Sequence, residues 1–134
     1  MRGSVRTTAF AVAALAIAPA LTAPALGHQT VINRGVAVTL HILPDDEPKA
    51  GQPATIVAVK VSPPKRGRFA FKTCACRVKV TNASGRVLLD KRTGKRTKFT
   101  FPTAAAYEIT YSGGYRAKGG KKRTFSATFA TMIW

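Results

Sequence analysis

Residues 69–80 read Phe-Ala-Phe-Lys-Thr-Cys-Ala-Cys-Arg-Val-Lys-Val, and the second half of that stretch decides the fold class. Arg77-Val78-Lys79-Val80 alternates cations with β-branched residues, as a half-buried strand does. If the strand extends back to Thr73, then Cys74, Cys76, Val78 and Val80 share one face, and Arg77 and Lys79 share the other. The same period of two recurs on both sides. Residues 36–42 place Val36, Val38, Leu40 and Ile42 on one face and Thr39 and His41 on the other. Residues 54–61 follow, with Val57, Val59 and Val61 alternating. After the cysteine strand, Asn82-Ala83-Ser84-Gly85 reads as a hairpin turn into a returning strand at residues 86–90. Residues 99–101, 107–111 and 123–134 complete the series, the last alternating Phe125, Ala127 and Phe129 with Ser126 and Thr128. Proline- and glycine-rich turns separate the segments, and nothing beyond residue 27 has a helical period. About seven short strands predict an all-β chain folded as one antiparallel β-sandwich.

Residues 1–27 stand apart from that domain. Arg2 and Arg6 open the chain without an acid, and residues 9–18 are unbroken apolar sequence too short to span a bilayer. Small residues and prolines follow up to Gly27. This order describes a secretory signal peptide, with small-x-small cleavage points after Ala20, Ala25 or Gly27. Cleavage after Gly27 leaves a domain of residues 28–134 that begins at His28 and contains no further transmembrane pattern. The expected location is secreted or periplasmic.

The charge is lopsided: 22 Lys and Arg face 5 Asp and Glu, a net +17, or +15 once Arg2 and Arg6 are set aside. Cations thicken at residues 65–68, 91–98 and 116–123. Such a field favours acidic partners, whether nucleic acid, anionic lipid headgroups or an acidic polysaccharide; the plainer alternative, which the sequence favours, is a solvated basic surface. No nucleic-acid recognition motif accompanies it. Three of the five acids, Asp45, Asp46 and Glu47, sit together in one proline-bounded loop.

Two pieces of turn grammar carry a resemblance. Pro48-x-x-Gly51-x-Pro53 lies between the first two strands. Phe101-Pro102 is followed by Ala105-Ala106-Tyr107 and then Ser112-Gly113. The second piece resembles the corner before the sixth strand of immunoglobulin-like sandwiches, where a tyrosine packs across the turn; Ala105 stands where glycine is commonest. Together they resemble the exported immunoglobulin-like domains of the YtkA-like and FixH-like group, and more distantly the CopC-like copper carriers. The resemblance implies an immunoglobulin-like sandwich. The copper carriers imply a histidine at the mature N-terminus, a place His28 would fill, but their methionine-rich loop has no counterpart here.

The chemistry available is narrow. Thiolates at Cys74 and Cys76 would bind one soft ion, Cu(I) above all, or begin a zinc site that needs two further ligands. A disulfide between them requires the chain to kink, since side chains at i and i+2 of a strand run parallel. Such a bridge would be easily reduced, and redox exchange is a further use of the pair. The plainer alternative is two small buried hydrophobes at the mouth of the core. His28, with its α-amino group, and His41 would suit Cu(II); the plainer alternative is a frayed terminus and a solvated strand residue. There is no Gly-x-Ser-x-Gly, no paired catalytic carboxylates and no phosphate loop before a helix. The expected function is therefore binding rather than catalysis: copper binding or delivery through Cys74, Cys76, His28 and His41, with a membrane-bound metalloprotein as the expected recipient. The alternative is a structural or adhesion module whose basic surface meets an acidic polymer or membrane. A third reading is an accessory domain for a membrane oxidase or transporter.

Overall fold

The computed structural model describes residues 29–134, so the signal-peptide reading of residues 1–27 and the ligand role expected for His28 lie outside the described residues. Eight strands form two antiparallel sheets that face each other across one core. The strands are β1 (Gln29–Asn33), β2 (Val36–Leu43), β3 (Pro53–Ser62), β4 (Arg77–Asn82), β5 (Val87–Arg92), β6 (Arg96–Thr100), β7 (Ala106–Arg116) and β8 (Lys122–Met132). One sheet has the order β1-β2-β3-β6 and the other β5-β4-β7-β8. This is the expected sandwich. No helix among the described residues is long and apolar enough to cross a membrane.

Alternation places the core where the pattern predicts it. Val36, Val38, Leu40 and Ile42 of β2 are buried, as are Phe125, Ala127 and Phe129 of β8 and Tyr107, Ile109 and Tyr111 of β7. Phe101, which follows β6, stacks edge-on against both Phe99 and Tyr107. The tyrosine corner is present. Tyr107 Oη donates to the Thr103 carbonyl at 2.8 Å and accepts from the Thr103 N–H at 3.2 Å. That pair of bonds ties the turn before β7 to the first core residue of the strand.

Three departures have physical causes. β1 is an added strand, joined to β2 by Arg34-Gly35, both with positive φ. A two-residue turn with both φ positive matches the twist of the strands it joins. In β3, Val59 follows the inward Ala58 and is exposed, and the register slips there: Thr39 faces Lys60 but Leu40 faces Ala58. The extra residue flips the phase, so the inward row runs Ala54, Ile56, Ala58 and then Val61 rather than Val57, Val59, Val61. Finally, β4 starts at Arg77, so the strand does not extend back through the cysteines.

The sandwich has two chemically different ends. At one, the loop between β2 and β3 meets the end of the chain: Ala50 N–H donates to the Trp134 carbonyl and Trp134 N–H to the Pro48 carbonyl. Asp45, Asp46 and Glu47 lie in that loop. At the other end stand the β1–β2 turn, the segment that leaves β3, and the β7–β8 turn. A side chain at Gly35 would touch Pro64, and Gly67 lies against the Arg116 carbonyl. That close packing gathers Arg34, Lys65, Arg66 and Arg68 with Arg116, Lys118, Lys121, Lys122 and Arg123.

Candidate anion-binding groove

The cysteines build one wall of the basic end. Cys74 and Cys76 are joined by a disulfide and both are buried. The kink that lets side chains at i and i+2 meet is at Ala75, whose φ is +47. Before Arg77, where β4 starts, residues 68–76 continue its place beside β7. Gly114 N–H donates to the Cys74 carbonyl at 2.8 Å. Arg68 and Arg116 then exchange both backbone bonds, Arg68 N–H to Arg116 O at 2.8 Å and Arg116 N–H to Arg68 O at 2.9 Å. Gly113 makes this approach feasible: a Cβ there would lie 2.5 Å from Cys76 Sγ. Gly113 and Gly114 are thus part of β7.

Two adjoining concavities open around this junction. One, of about 360 Å³, is lined by Arg68, Arg116, Lys122 and Arg123 together with Cys74, Ala75 and Tyr115. The other, of about 470 Å³, shares Arg68 and Arg116 and adds Arg66 and the glycines of the β7–β8 turn. No carboxylate lines either one. The Arg116 guanidinium is steadied by donating from Nη1 to the Gly120 carbonyl at 3.1 Å. The arrangement can bind anions.

Of the residues expected to hold a metal, Cys74 and Cys76 lie together at the basic end and His41 lies apart from them, while His28 is outside the described residues. The two sulfurs are bonded to each other, so the pair presents no thiolate in this state. His41 lies on the outer face of β2, where its Nδ1 is 3.0 Å from Asp46 Oδ1. That carboxylate also accepts from the Ile42 N–H, so the pair pins the turn after β2 at the acidic end. Among the described residues no three His, Cys, Asp or Glu side chains cluster as a metal set. Copper binding through Cys74 and Cys76 would need the reduced chain.

The cation clusters at residues 65–68 and 116–123 are legible in the sequence, but their meeting is not. The missing signal was the strand partnership of Arg68 with Arg116, which lies in no local pattern. Tyr111 is buried in the core; its hydroxyl donates to the Gly94 carbonyl at 2.8 Å, and burial pushes its pKa up to about 12.

Comparison with protein-family models, with curated proteins and with solved structures finds no match, so no family is assigned to the chain.

Proposed function

We propose that this protein is an exported, non-catalytic binding module that holds an acidic polymer at the basic end of its sandwich. The observation that carries the reading is the acid-free groove shared by Arg68 and Arg116, at the end opposite the acidic loop. Clustering cations without counter-ions raises a local positive potential, and concave walls focus it. A groove suits a slender chain better than the plane of a membrane surface. The Cys74–Cys76 disulfide supports export, because such bonds persist in oxidising compartments. Copper delivery has less support, since its four expected ligands include two bonded sulfurs and a histidine engaged by Asp46.

The test compares two triple variants of equal charge. Arg66→Gln/Lys118→Gln/Lys121→Gln removes cations from the basic end; Lys79→Gln/Arg86→Gln/Lys98→Gln removes the same number elsewhere. Elution from a sulfated-polysaccharide resin should move to clearly lower salt for the first and much less for the second. Equal shifts for both would mean that charge acts diffusely, and the groove would lose its role.

A further inference from the structure

Within that reading, we infer that Arg68, Arg116 and Lys122 form a subsite for a tetrahedral oxyanion, a sulfate or phosphate ester carried on the polymer. The register carries the argument. Arg116 faces Arg68 on one side and Lys122 on the other. Residues directly opposed across antiparallel strands project to the same face. The three cations therefore stand in one row across three neighbouring chain segments. Arg68 and Arg116 exchange backbone bonds, so Arg116 and Lys122 form the closer, non-bonded kind of pair, and the row spans roughly 10 Å.

Like charges placed directly opposite destabilise a sheet. This row has two such pairs and no carboxylate to relieve them. Elsewhere the protein does relieve one: Arg77 faces Arg92, but its guanidinium binds Asp90 at 3.0 Å. Asp46 is engaged by His41 at the far end. All three cations of the row are exposed, and Arg68 and Arg116 line both concavities. An anion bound there would remove the repulsion.

The side chains choose the kind of anion. A guanidinium presents a planar fork of donors that matches two oxygens of one group, and two adjacent forks can take different oxygens of a tetrahedral group. A planar carboxylate has only two oxygens, so one fork uses both and the neighbouring cation is left with a weaker contact.

The experiment measures binding of the purified protein to heparin, to inorganic polyphosphate, to polygalacturonate as a carboxylate polymer, and to phosphatidylglycerol vesicles, at one fixed salt concentration. Heparin or polyphosphate should bind roughly tenfold more tightly than polygalacturonate, the scale of one charge-assisted bond. Whichever of the two binds more tightly identifies sulfate or phosphate as the source. Arg116→Lys and Arg68→Lys keep the charge and lose the fork; each should erase most of that preference while polygalacturonate binding stays within about twofold. Both sites are exposed, and an unchanged circular dichroism spectrum verifies folding. Equal affinity for sulfated and carboxylated polymers, or a preference kept in both lysine variants, overturns the subsite and leaves the polymer-binding reading standing. Tighter binding to vesicles than to any chain overturns the choice of a polymer. Binding to none of the four overturns both.

Discussion

Cys74 and Cys76 show how one residue can settle the geometry of its neighbours. Their spacing alone allows a strand, a metal clip or a kinked bridge. Ala75 at φ +47 selects the bridge, and Gly113 leaves room for the sulfur beneath it. Gly113→Ala would place a methyl 2.5 Å from Cys76 Sγ, and overpacking of that sort costs about 1–3 kcal/mol. The cost should shrink in a Cys74→Ala/Cys76→Ala background, where the sulfur is gone. A double-mutant cycle in urea measures this coupling. Identical costs in both backgrounds would mean that the Cys74 carbonyl, 3.2 Å from the same position, is the real obstacle.

Among the elements, β7 organises the molecule. It pairs with β8 along its whole length and with β4 along its first half, and its last residues hold Arg68. Its entry is set by the tyrosine corner and its exit by the basic turn. Tyr107→Phe keeps the ring and removes the hydroxyl that bonds the Thr103 backbone, so it should cost about 1 kcal/mol, read as a lower denaturant midpoint with unchanged slope. No change in midpoint would show that water replaces the hydroxyl without loss. The groove lies at the far end of the same strand, so polymer binding should be unaffected by this substitution.

For the whole molecule, charge is the dominant long-range term. Twenty cations and five acids lie among the described residues, with the acids concentrated at one end and no acid in the groove at the other. Self-repulsion of that size destabilises the compact state. The melting temperature should therefore rise between about 10 mM and 150 mM sodium chloride, as screening length falls from about 30 Å to 8 Å. A bound polyanion should raise it further through linkage. A melting temperature independent of salt would mean that the field is already neutralised within the fold.

The sequence by itself determined the sandwich, because the backbone fixes a strand's side-chain period at two, so apolar residues at every second position mark a buried face without reference to any partner. β2, β7 and β8 were legible in this way, and so was the corner at Tyr107. Short or irregular pieces were less so. β1 offers five residues and one turn, and the slip at Val59 arises from the partner strand, which no local pattern contains. The site was legible only as composition: too many cations, in clusters. Its geometry required the tertiary structure, because Arg68 and Arg116 are separated by most of the second sheet and meet only once the segment after β3 has crossed to β7. Joining residues so distant in sequence is a matter of backbone pairing and packing between sheets, and those are properties of the folded chain.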